Sequence, residues 1–106
     1  MIKVTVSKNS DGVYNSVCIE GHAEYAEHGQ DIVCAAVSVL LITAINSIES
    51  FTNDEKEEWD NEGNAGFRII STVSKESELL IHSLLLGLNG IEKEYGKKYI
   101  RIYNKA

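Results

Sequence analysis

The pattern along these 106 residues predicts an α+β fold in the order β-β-α-β-β-α-β, with two helices packed on one antiparallel or mixed sheet. Three observations carry this. Short segments alternate apolar and polar residues, the mark of a half-buried strand. Turn clusters at Lys8–Gly12 and at Glu62-Gly63-Asn64 separate such segments into two hairpins. Two longer segments, after Asp31 and after Ser74, carry apolar residues at lengths and spacings that suit helices.

Each element follows in order. Met1 to Ser7 sets Ile2, Val4 and Val6 against Lys3, Thr5 and Ser7. Val13 to Glu20 is the second strand, with Val13, Val17 and Ile19 on one face. Gly21 to Gln30 is loop by composition, and Asp31 is a suitable N-cap because its carboxylate can accept from exposed N–H groups. From there to about Phe51 the apolar residues are nearly continuous, which predicts a helix buried on most sides. Glu55–Asn61 and Ala65–Val73 form the second hairpin. Ser74 can cap the last helix, with Glu76 and Glu78 complementing its dipole. Its apolar stripe is Leu80, Leu84, Leu88, Ile91 and Tyr95, and Gly96 is a C-terminal stop. Gly87 and Gly90 predict close packing against a neighbour, since each weakens a helix by about 1 kcal/mol relative to Ala. Tyr99 to Tyr103 alternates as a final strand.

A chain of this length makes one domain, residues 1–106, with no room for a second core. The net charge of −6 provides no basic surface for phosphates and argues against a direct nucleic-acid partner. The first twelve residues lack the apolar segment of a signal peptide. The run from Ile32 to Ile45 is broken by Ser38 and Thr43 and is shorter than the roughly 20 residues of a membrane span. A cytoplasmic protein is expected, off the membrane, with Cys18 and Cys34 as thiols. No phosphate-binding glycine loop or dinucleotide fingerprint occurs, so no cofactor is expected.

Cys34 carries the chemistry. If Asp31 caps, Cys34 is the third helical residue, and Ser38 follows one turn later on the same face. First-turn N–H groups lack intrahelical acceptors and carry partial positive charge, so a thiolate is favoured there. A nucleophilic thiol needs a base that later returns the proton, a task suited to histidine near neutral pH. His22 and His28 are the candidates; His22 is preferred because it directly follows Gly21 at the end of a strand. The plainer reading of Cys34 is a small buried hydrophobe, of Ser38 a helix serine bonding its own backbone, and of Asp31 a cap alone. A competing reading takes Cys18, His22, His28 and Cys34 as metal ligands, although their spacings match no common zinc arrangement. Cys18 is otherwise a buried strand residue, His82 a surface residue and Trp59 half-buried.

Gly21-His22-Ala23, a short loop, and then Gly29-Gln30-Asp31-Ile32-Val33-Cys34-Ala35-Ala36-Val37-Ser38 closely resemble the ribosomal-processing cysteine protease family, Prp. Length and element order agree across the whole chain. Glu24 stands where many members have a smaller residue. The resemblance implies Cys34 as nucleophile and His22 as general base, with Asp31 and Ser38 at the same site. It implies a substrate loop spanning Gly21, Ala23 and Gly29 that is flexible and orders over bound peptide. It also implies a homodimer and a substrate: a bacterial large-subunit ribosomal protein, L-twenty-seven, whose short N-terminal extension is removed after an aromatic pair and before a small residue.

Overall fold

β1 (Ile2–Lys8) and β2 (Tyr14–Gly21) pair antiparallel, with Val4 opposite Ile19 and Val6 opposite Val17. The computed structural model describes residues 1–21 and 32–105. The hairpin turn is built by Asn9, whose Oδ1 accepts from the N–H groups of Asp11 and Val13, both at 3.0 Å. The Asn9 N–H donates to the Val13 carbonyl at 2.8 Å. Val13 thus closes the turn with both main-chain groups, which is why β2 begins at Tyr14 and not at Val13.

The helix α1 (Ile32–Phe51) follows, then β3 (Lys56–Asn61), β4 (Asn64–Ile69), α2 (Lys75–Tyr95) and β5 (Ile100–Lys105). The five strands form one sheet in the order β3-β4-β2-β1-β5. β5 runs parallel to β1 and every other pair is antiparallel, so the sheet is mixed. β4 stops at Ile69, short of the predicted Val73, because the next residues make the connection to α2. The Ile70 N–H bonds the Glu55 carbonyl at 2.8 Å, and the Glu55 N–H bonds the Ser71 hydroxyl at 2.9 Å. Asp54 then accepts from the Ser74 N–H and hydroxyl at 2.9 and 2.8 Å, while Ser74 caps α2 through the Ser77 N–H. Gly96 ends α2 as expected, its N–H bonding the Glu92 carbonyl.

Both helices lie on one face of the sheet. Ile2, Val4, Val6, Val17, Ile19, Phe67, Ile69 and Ile100 form the sheet side of the core. Val33, Val37, Leu41, Ala44 and Ile48 cover them from α1, and Ile81, Leu84, Leu85 and Leu88 from α2. The predicted α2 stripe is therefore rotated slightly: Leu84 and Leu88 are central, while Leu80, Ile91 and Tyr95 are half-buried at its margin.

α1 departs from its expected burial on most sides. Its run of apolar residues covers the sheet with one stripe, and Val39 and Phe51 stand 63% and 73% exposed. A helix on one face of a sheet with one helical neighbour has two sides covered and the rest open. At 20 residues, α1 is long and apolar enough by length and composition to cross a membrane, but here its buried stripe is core. Gly87 does pack closely: a Cβ there would lie 2.9 Å from Leu40 Cδ1 of α1. Gly90 faces open space, contrary to expectation.

Two outcomes follow for stability. Gly66 is buried beneath Trp59, and a Cβ there would overlap the Val17 carbonyl oxygen and lie 2.7 Å from Trp59 Cζ2. Gly66→Ala is expected to destabilise by roughly 1–3 kcal/mol, lowering the midpoint of a thermal melt by several degrees. At Asp54 burial favours the neutral acid. That effect is outweighed by the nearby Ser77 hydroxyl, which lowers the pKa without meeting strict hydrogen-bond geometry, and by the two bonds from Ser74. The carboxyl is held below its usual 3.8, so its stabilisation is complete above that pH and is lost as pH falls through the folded-state value. Asp54→Ala should cost about 1 kcal/mol at pH 7 and flatten the acid limb of the stability profile below about pH 4, as read by denaturant titration.

Candidate active site

α1 begins at Ile32, so Cys34 is its third residue, as the spacing predicts. Val33 and Val37 are buried against the sheet. Cys34 lies about 100° further round the helix than Val33, half-buried and at the side of the core stripe. Ser38 follows one turn on, exposed. Both face a cleft of about 180 Å³ whose floor includes Ile2 and Ile19.

The opposite wall comes from two places in the sheet. Gly21 ends β2 at φ +85°, and a Cβ there would lie 2.5 Å from the Met1 carbonyl oxygen. Its N–H donates to the Gly63 carbonyl at 2.9 Å. The end of β2 is thereby held between the start of β1 and the β3–β4 turn. The tip of the β3–β4 hairpin adds Asp60, Asn61, Gly63 and Asn64 to the lining. Asp60 pairs with Ala65 in the ladder, on the face that looks toward the helices.

Gly21, Cys34 and Ser38 are thus brought to one cleft. His22, Ala23, His28, Gly29 and Asp31 lie outside the described residues. Asp60, Asn61 and Asn64 were not singled out from sequence. Nothing in their local pattern marks them; they reach the cleft because β4 pairs with β2 and brings the hairpin tip beside Gly21.

Cys18 sits elsewhere. Val17 and Ile19 face the helices, so Cys18 faces the other side of the sheet, opposite Thr5 and Gly66. It is half-buried, with Sγ 3.6 Å from Asn64 Oδ1, the same oxygen that accepts from the Trp59 indole at 2.7 Å. The two cysteines therefore do not share the cleft, which argues against their joining one metal site.

A family model described as "Cysteine protease Prp" matches residues 1–101. The chain belongs to the cysteine protease Prp family. The ribosomal processing cysteine protease Prp of Staphylococcus aureus (strain Mu50) is 34% identical over 99 residues, covering 92% of this chain and 93% of that protein. Prp of Bacillus subtilis (strain 168) is 31% identical over 101 residues, covering 90% of each. The fold agrees as well. A crystal structure of Prp from S. aureus with a covalently linked product peptide aligns at a TM-score of 0.89, with 34% identity over 99% of this chain and 100% of that one. A second, with a substrate peptide, aligns at 0.85 with 33% identity. The family assignment makes this chain a cysteine protease and bears out the two-helix, five-strand mixed sheet.

Gly21 offers a test of the cleft's architecture. Gly21→Ala and Gly12→Ala both place a side chain at positive φ, which costs about 1–2 kcal/mol. Gly12 faces open space, whereas Gly21 abuts the Met1 carbonyl. The Gly21 variant should therefore show the larger drop in denaturation midpoint, while equal drops would mean that β2 and β1 do not meet this closely.

Proposed function

We propose that the chain removes the short N-terminal extension of the bacterial large-subunit ribosomal protein L-twenty-seven, with Cys34 as nucleophile and His22 as general base. The observation that carries this reading is the coincidence of family membership with a thiol in the first turn of α1, facing a cleft walled by Gly21. Relatives named ribosomal processing proteases support the substrate class. The extension is cut after an aromatic pair and before a small residue. Asp31 and Ser38 support the site, and Gly21, Ala23 and Gly29 belong to the segment that contacts substrate. The enzyme works in the cytoplasm as a homodimer, a state supported by the apolar side chains left exposed, among them Val39, Phe51, Leu79 and Leu86.

The chemistry follows from these roles. His22 takes the proton from Cys34, and the α1 N-terminus favours the resulting thiolate. The thiolate attacks the scissile carbonyl, whose oxygen becomes an oxyanion stabilised by nearby backbone N–H groups. His22 returns the proton to the leaving amine as the C–N bond breaks. Water then hydrolyses the thioester, releasing the carboxylate product and restoring the thiol.

Incubation with the extended ribosomal protein, followed by mass spectrometry of its N-terminus, tests the assignment. Cys34→Ala is expected to abolish cleavage. His22→Ala should lower kcat about 100- to 10,000-fold, while His28→Ala leaves most of it. Undiminished cleavage by Cys34→Ala would remove Cys34 from the mechanism.

A further inference from the structure

The cleft beside Cys34 continues. A second cleft, of about 290 Å³, lies between α1 and β3 and shares Asp60 with the first. Its lining is Ile42, Ile45 and Asn46 from α1 with Glu58, Trp59 and Asp60 from β3. Ser38, Ile42 and Ile45 follow Cys34 along one flank of α1, the flank turned away from α2. The two clefts therefore line up along this flank of α1 and meet at Asp60, outlining a groove that leads away from the thiol.

Beyond its far end α1 and β3 are tied by an ion pair. Lys56 at the start of β3 reaches Glu49 of α1 at 2.6 Å and Glu58 at 3.1 Å, with only 7% of its side chain exposed. The hydrogen bond from Lys56 pulls the Glu49 carboxyl below its ordinary range, and Glu49 in turn raises the Lys56 ammonium. This tie joins helix and strand just beyond Ile45.

The groove has the chemistry of a peptide site. β3 is an outer strand of the sheet, and such an edge presents main-chain groups to which an extended peptide can pair. The Trp59 ring lies over Gly66 on the opposite face, so at that position β3 offers the groove its main chain. Ile42 is 56% exposed although it lines a concave surface. The volume lies just under the roughly 300–1,000 Å³ of sites for whole drug-sized ligands, so a large side chain has room there.

We propose that this groove is the extended substrate-binding track of the enzyme, and that Ile42 and Ile45 are specificity-determining residues that receive one apolar substrate side chain. Eight residues of helix separate Cys34 from Ile42, about 12 Å. An extended peptide covers that in three to four residues. The apolar side chain therefore stands three or four residues from the scissile bond, on a strand laid along β3. The inference rests on Cys34 being the site of attack.

Binding separates this proposal from that reading. A fluorescein-labelled peptide spanning the cleavage site of the extended ribosomal protein is titrated by anisotropy against Cys34→Ala protein, with and without Ile42→Ala. Ile42 is exposed, so the variant is expected to fold, and circular dichroism checks this. Ile42→Ala should weaken binding about tenfold. Replacing the apolar residue three or four positions from the scissile bond by Ala should weaken it similarly, and the two changes together should cost little more than either alone. Independent effects of the two changes, absence of binding, or an affinity insensitive to Ile42 would overturn the track. Cleavage retained by Cys34→Ala would instead count against the nucleophile, since the anisotropy measurement does not depend on turnover.

Discussion

The roll of α1 about its own axis is the constraint on which the site depends. Five residues, Val33, Val37, Leu41, Ala44 and Ile48, must face the sheet, because no other part of α1 covers the helix-facing residues of β1, β2 and β4. A helix advances about 100° per residue, so burying that stripe leaves no freedom for the rest. One flank, including Leu40 and Ser47, meets α2; the other, carrying Cys34, Ser38, Ile42 and Ile45, looks toward β3. Each buried branched side chain contributes about 1.5–3 kcal/mol, so turning the helix to withdraw the thiol would forfeit several such terms together. The position of Cys34 follows from core packing.

The sheet supplies the second half. β2 lies between β1 and β4, so the positive-φ glycine at its end is bounded by the Met1 carbonyl on one side and accepted by the Gly63 carbonyl on the other. The hairpin tip and the first turn of α1 thereby face each other across a gap. The ion pairs of Lys56 then set the spacing between α1 and β3 further along. A protease gains from such rigidity, because attack requires the scissile carbonyl to be held against the nucleophile in one geometry.

Much of this was legible in sequence, and the reasons differ by element. Alternation at Ile2, Val4 and Val6 and the turn residues around Asn9 and Gly12 are local signals, and the strands appear where they point. Ser74 and Gly96 are local caps and end α2 as read. Strand limits at Tyr14 and Ile69 were missed because they depend on which main-chain groups a turn or a helix cap consumes. The open faces of α1 were missed because an unbroken apolar run carries no period from which a buried side can be read. Cys34, Ser38 and Gly21, singled out from the motif, line one cleft. Asp60, Asn61 and the groove wall at Ile42 and Ile45 arise from sheet order and helix roll, which only the fold expresses.

The most direct test of this arrangement is to find where the substrate becomes covalently attached. Acid quenching of a reaction with the extended ribosomal protein in its first turnovers, followed by digestion and peptide mapping, locates the thioester. The account predicts the N-terminal fragment of the substrate on the peptide containing Cys34, in a linkage cleaved by hydroxylamine. Product formation with the adduct on Cys18, or with no adduct at any time before steady state under conditions where hydrolysis of the thioester limits turnover, would contradict it.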